Sequence, residues 1–317
     1  MIPKRLRGLA QVTISAILLI LILRTVSWAE VRAALQRIDL RWLAVAWGLF
    51  ILGVVVRAMR WRVLLRALGL RRPLGELVNW YFVGGFFNVI LPTGFGGDAV
   101  RAAELGQDTG RLGAAVNSVI VDRYLGLIVL LPMGLVAWLI APGVAPPEMF
   151  WLIAALFAGG LLAAWLLRRP WWAQWGERPG IFGRAVRLLK LPQLSESVAP
   201  YNRSTILRGL GISLVFNLLL IGWNVAIAQG LGLHLPLTVY LAFVPLTSVA
   251  LLLPAFGGLG VREMTYVGLF GSIGVPRATA LALSLGVYSI TVATGLIGGI
   301  LYLAGGLQRA RSKETAK

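Results

Sequence analysis

Apolar residues in this chain come in long runs, and run length sorts them into two kinds. Crossing roughly 30 Å of hydrocarbon takes about twenty helical residues. Runs near 6–24, 41–60, 113–140, 149–168, 205–230 and 278–305 meet that length. Two others, 78–91 and 238–253, are too short or too interrupted, the signature of a re-entrant or broken segment. The pattern predicts an all-α integral membrane protein with about six full transmembrane helices plus two re-entrant helical hairpins.

The polar stretches orient these runs through the positive-inside rule. Lys4, Arg5 and Arg7 put the N-terminus in the cytoplasm; Arg60, Arg62, Arg66, Arg71 and Arg72 put the 60–77 loop there as well. The 168–208 loop and the tail carrying Arg309, Arg311 and Lys313 follow, whereas "APGVAPPE" and "LGLHLPL" carry no basic residue and read as external. Parity then makes 78–91 enter and leave on the cytoplasmic side and 238–253 enter from outside. The termini are expected in the cytoplasm, and the first run is read as an uncleaved helix, being long for a signal peptide. Residues 27–37 read as a short interfacial helix on the external face.

Each short run ends in the same punctuation. "LPTGFGGDAVR" spans Leu91 to Arg101, "LPAFGGLGVR" spans Leu253 to Arg262, and Phe95 and Phe256 lie 161 residues apart. Each motif is preceded by a spanning run and followed by another. Two units, 41–140 and 205–305, thus form an inverted repeat, joined by 141–204 and followed by the basic tail 306–317. Broken segments of opposite topology are how many secondary transporters build a substrate site near the midplane. Glycine supplies the tight turns there, and the free N–H groups of the helix that follows favour an anion.

Composition narrows the function. The chain has 317 residues, 58% hydrophobic and 13% charged, with 30 basic against 12 acidic residues for a net charge of +18. Basic loops beside apolar runs suit anionic headgroups; no separate basic domain points to nucleic acid. There is no cysteine and one histidine, His234, in an apolar loop, so zinc and histidine chemistry lack material, and no cofactor is expected.

Charges inside the runs carry the candidate chemistry. "VNSVIVDRYLGL" places Asp122 and Arg123 within a span, where each would cost about 3 kcal/mol facing lipid and so must face protein or water. Adjacent residues on a helix do not face each other, so Asp122 needs another cation, first Arg101 or Arg262. Tyr288 and Ser289 stand where the second unit aligns with Asp122 and Arg123. That asymmetry favours a substrate role over a purely structural ion pair. Arg57 and Arg60, near the end of their apolar run, read as snorkelling anchors, with headgroup contact as the alternative.

"NVILPTGFGGDAVRAAEL", "VDRYLG" and "LPAFGGLGVRE" resemble the lysylphosphatidylglycerol synthase transmembrane region, or flippase-like domain, over nearly the whole chain. The resemblance implies a lipid-translocating domain; the best-known members move an aminoacylated phospholipid, and stand-alone members are associated with polyprenyl-linked sugars or hopanoids. The matching positions are Asn88, Pro92, Gly96, Gly97, Asp98, Arg101, Asp122, Arg123, Pro254, Gly257, Gly258, Gly260 and Glu263. The chain stops at Lys317 soon after its last apolar run, with no soluble aminoacyl-transferase domain, so lysine transfer is not expected.

The expected function is a lipid flippase or transporter without covalent chemistry, acting on an anionic, modified or polyprenyl-phosphate-linked lipid in the cell (inner) membrane. Substrate contacts are expected from Asn88, Gly96, Gly97, Asp98, Arg101, Glu104, Asp122, Arg123, Gly257, Gly258, Arg262 and Glu263. Two alternatives stay open, a lipid-modifying transferase using Asp98, Glu104 or Asp122 as base, and an accessory subunit that binds lipid without moving it. Expected partners are membrane lipids with a phosphate headgroup, and no nucleic acid; homo-oligomerisation is left open.

Overall fold

The computed structural model describes residues 25–91, 95–169, 171–177, 191–253 and 258–314, with isolated positions before residue 25 and between 177 and 191. The first predicted span, 6–24, lies largely outside the described residues, as do Pro92, Gly94, Pro254 and Gly257. The described residues form helices and connecting turns, with no strand among them. In chain order the helices are α1 (Trp28–Gln36), α2 (Leu40–Ala67), α3 (Leu74–Ile90), α4 (Gly96–Thr109), α5 (Leu112–Ile140) and α6 (Pro147–Leu167). Then follow α7 (Trp171–Glu177), α8 (Leu191–Val198), α9 (Arg203–Gly230), α10 (Leu237–Ala250), α11 (Val261–Ser272) and α12 (Arg277–Glu314).

Five of these, α2, α5, α6, α9 and the 277–305 part of α12, are long and apolar enough to cross a membrane. They coincide with five of the six predicted spans; the sixth is the one at 6–24. The two short runs became α3 and α10, of 17 and 14 residues. At 1.5 Å per residue they measure about 25 and 21 Å, short of the roughly 30 Å hydrocarbon layer.

Local chemistry sets the helix ends. Asp39 caps α2 by accepting from the Arg41 amide at 2.8 Å, and Asn202 caps α9 by accepting from the Thr205 amide at 2.8 Å. Each side chain satisfies an amide that has no partner within its own helix. α4 stops at Gly110, whose φ of +68° is the left-handed conformation that ends helices. α2 also runs on past its apolar segment to Ala67, because Trp61, Leu64 and Leu65 are fully covered by protein.

Helix packing crosses between the two halves. α2 lies along α9, α3 packs on α12, and α10 packs on α5. Within the halves α3 packs on α4, and α10 on α11. One apolar core gathers Trp61, Leu65, Leu77, Trp80 and Leu105 from α2, α3 and α4. A second gathers Ile227, Tyr240, Phe243, Phe270 and Leu283 from α9 to α12. α1 is not a free interfacial helix, since Val31 is buried against Ala278 and Leu281 of α12. α6 lies at the periphery: 6% of its apolar window is covered by protein, against 50% for α12. Its outward Trp151, Leu152 and Leu162 fit hydrocarbon contact.

Candidate functional site

The close approach of α3 to α4 positions the first cluster. A Cβ on Gly97 would run into the Gly84 carbonyl and lie 2.7 Å from the Asn88 amide nitrogen, so only glycine allows this crossing. Asn88 Oδ1 in turn accepts from the Gly97 amide at 2.7 Å, meeting a donor that the first turn of α4 leaves unpaired. Asp98, next in the chain, and Arg101, one turn on, face α5.

Asp122 on α5 is 2% exposed and sits at the centre of the charge network. Its Oδ1 accepts from Arg60 Nε at 2.7 Å, its Oδ2 accepts from the Tyr81 hydroxyl at 2.6 Å, and Arg101 Nη1 lies 3.7 Å from Oδ2. Arg60 also donates to Ser213 Oγ at 2.9 Å, so α2, α3, α4, α5 and α9 meet around one carboxylate. Asp98 pairs with both Arg101 and Arg123, and Arg123 stacks over the Phe95 ring at 4.5 Å. Arg101 packs over the Tyr81 ring at 3.9 Å and the Trp61 ring at 5.0 Å.

A second cluster occupies the other half. Glu263, 1% exposed, accepts from the Gly260 amide at 2.6 Å and from Arg262 Nη2 at 3.2 Å, and Ser284 Oγ lies 3.4 Å from it. Gly260 has φ +83°, a left-handed turn that glycine adopts without strain, and this lets Glu263 fold back as a cap on α11. Arg262 lies over the Tyr288 ring at 4.3 Å, and Tyr266 donates to Asn224 Oδ1.

Two cavities open on these clusters. The larger, about 470 Å³, is lined by Arg57, Arg60, Asp98, Arg101, Asp122 and Arg123 among apolar neighbours. The smaller, about 310 Å³, is lined by Asn224, Thr247, Gly258, Arg262, Tyr266 and Tyr288. Asn88, Arg123, Trp223 and Ser248 belong to both walls, so the cavities adjoin. A low-dielectric wall strengthens every charge interaction inside such a space, and its size fits a polar headgroup better than a whole lipid.

Of the expected contact residues, Asn88, Gly97, Asp98, Arg101, Asp122, Arg123, Gly258 and Arg262 line one or both cavities. Gly96 is buried at the start of α4, Glu104 is half-buried outside both linings, and Glu263 reaches the site through Arg262. Gly257 lies outside the described residues. Asp122 finds its closest cation in Arg60, ahead of Arg101, while Arg262 pairs with Glu263 instead. Arg60 is no snorkelling anchor: α2 runs seven residues past it, about 10 Å of helix, and its side chain is 3% exposed. Tyr81, Ser213 and Trp223 were not singled out, since an uncharged polar residue in an apolar run carries no sequence signal of its own. Among the described residues, no three His, Cys, Asp or Glu side chains group as metal ligands.

The comparison with curated proteins finds no match. The family model for the lysylphosphatidylglycerol synthase TM region matches residues 8–299, which takes in every cavity-lining residue named above. This chain therefore belongs to the lysylphosphatidylglycerol synthase transmembrane-region family, as a multi-pass, lipid-related membrane protein.

Proposed function

We propose that the chain is a flippase or transporter that moves an anionic or modified phospholipid, or a polyprenyl-phosphate-linked lipid, between leaflets of the cell membrane. The observation that carries this reading is the larger cavity, where four guanidiniums and two carboxylates line a space walled by apolar helices. Ionisable groups are expensive in hydrocarbon and mark polar pathways when they face a cavity. The helix pairings support an inverted repeat: α3 exchanges onto α12 as α10 exchanges onto α5, while the corresponding α2 and α9 pair with each other. The short lengths of α3 and α10 and their packing on α4 and α11 support two re-entrant hairpins, which bring broken backbone to membrane depth only where protein or water satisfies it.

Transport is favoured over covalent chemistry because both carboxylates of the larger cavity are held by guanidiniums. The test is reconstitution of the purified chain into liposomes carrying a fluorescent phospholipid, with outer-leaflet label bleached by an impermeant reductant. Bleaching well beyond the half accessible in protein-free vesicles supports transport. Bleaching no faster than protein-free vesicles, for several anionic headgroups, overturns it in favour of an accessory role. Covalently altered lipid recovered from the vesicles overturns it in favour of the transferase.

A further inference from the structure

Arg57 is the cavity cation that the charge network leaves over. Its guanidinium carbon lies 5.1 Å from the ring centroids of both Tyr81 and Phe216, an aromatic bracket that holds it by cation–π attraction. Unlike Arg60, Arg101 and Arg123, it makes no ion pair with a carboxylate of the described residues. Its Nε is buried with no hydrogen-bond acceptor, and so is Nη1 of Arg101, a residue 4% exposed that rests on the same Tyr81 ring. Arg60 pairs with Asp122, and Arg101 and Arg123 with Asp98, which leaves the charge of Arg57 in excess on this cavity wall. Buried charges and donors left without partners are costly, and a guanidinium presents its donors in a fork that fits phosphate oxygens.

We propose that Arg57, with Arg101, is the receptor for a phosphate group carrying net negative charge, and that the cavity thereby selects lipids with anionic phosphate headgroups against zwitterionic ones. This rests on the transport reading for its lipid ligand. A zwitterionic headgroup brings its own cation into a site already in positive excess, and like charges disfavour it. A phosphate monoester uses the excess charge.

The test titrates the purified full chain in neutral detergent, by calorimetry, with dihexanoyl phosphatidic acid, dihexanoyl phosphatidylcholine and inorganic phosphate. Phosphatidic acid should bind at least about tenfold tighter than phosphatidylcholine, the scale of one charge-assisted hydrogen bond. Arg57→Gln should erase that preference while still folding, because it removes a cation with no carboxylate partner and loses only its contacts with the Tyr81 and Phe216 rings. Arg57→Lys, which keeps charge but loses the fork, should retain part of the preference, and Arg66→Gln, on the exposed surface, all of it. No preference in wild type, a preference that survives Arg57→Gln, or equal loss in Arg66→Gln overturns the proposal. Inorganic phosphate binding as tightly as phosphatidic acid overturns the headgroup assignment and makes this a free-phosphate site. Leaflet exchange is read separately. Selective binding without exchange refutes transport and leaves the receptor, whereas exchange without selectivity refutes the receptor alone.

Discussion

Replacing Asp122 with asparagine keeps nearly the same volume and deletes one charge, at the point where five helices meet. The carboxylate is 2% exposed and Arg60 is 3% exposed, so solvent cannot rescue the guanidinium left behind. Breaking a buried pair by removing one partner costs roughly 3–5 kcal/mol. For a chain of this size that corresponds to a fall in melting temperature on the order of 10 °C. The loss should be shared: Arg60→Gln strands Asp122 in the same way, although Tyr81 still donates to it and Arg101 lies 3.7 Å away. Combining Arg60→Gln with Asp122→Asn restores local neutrality, so the double variant should be less destabilised than the two singles summed, by about 2 kcal/mol. Melting is followed by intrinsic tryptophan fluorescence in detergent, and leaflet exchange is measured on the same preparations. An Asp122→Asn chain that melts within about 1 °C of wild type, or a double variant that is strictly additive, would refute the view that this pair organises the cluster. Normal melting with impaired exchange would instead make Asp122 part of the transport step.

Gly298→Ala would drive a Cβ into the Phe82 carbonyl where α12 crosses α3; a loss of about 1–3 kcal/mol is expected by chemical or thermal melting. Gly268→Ala is its control, since that helical position is exposed with nothing within 4 Å, and it should melt as wild type or slightly higher. The chain has no native cysteine, so Leu91→Cys and Leu253→Cys, both at exposed positions, can each be labelled alone in intact cells. An impermeant maleimide should reach Leu253→Cys from outside and Leu91→Cys only after the cells are opened; labelling of both from one face would destroy the opposite topology of the two halves.

Run length alone located the five described spans and the two short helices, because hydrocarbon thickness sets a sharp length requirement and the runs meet it or miss it by several residues. The Asp98, Arg101 and Asp122 cluster was legible too, since charge in an apolar run must face something polar. What escaped were the partners. Arg60 looked like the end of its helix because the apolar run ends there. The helix continues because Trp61 and Leu65 bury in the first core and Leu64 buries against Val121 and Leu125 of α5, and one-dimensional hydropathy cannot separate a lipid-facing end from a protein-facing one. Tyr81 and Ser213 carry no charge, so only their three-dimensional position makes them partners of Asp122 and Arg60. The rule that adjacent residues do not pair held for Asp122 and Arg123 and failed for Arg262 and Glu263. The failure has a local cause: Glu263 folds back to cap Gly260 in the first turn of α11, which turns its second oxygen toward its neighbour.

That folded-back glutamate also changes what the asymmetry of the two halves means. From sequence the second half lacks a counterpart of Asp122, and the difference was read as a substrate role for Asp122 itself. The structure gives the second half its own buried carboxylate, so the arginine of each GFGG motif has an acidic partner: Arg101 in Asp98, which it shares with Arg123, and Arg262 in Glu263. The asymmetry that survives is in excess charge. Arg60 and Asp122 cancel, Arg123 shares Asp98 with Arg101, and Arg57 is left over, all on the larger cavity. An anion entering either cavity would meet Arg123, common to both walls, but Arg57, which has no carboxylate partner among the described residues, lines the larger cavity only. In the proposed transport cycle the unequal charge would bias where an anionic headgroup rests, because the deeper well lies where positive charge exceeds negative.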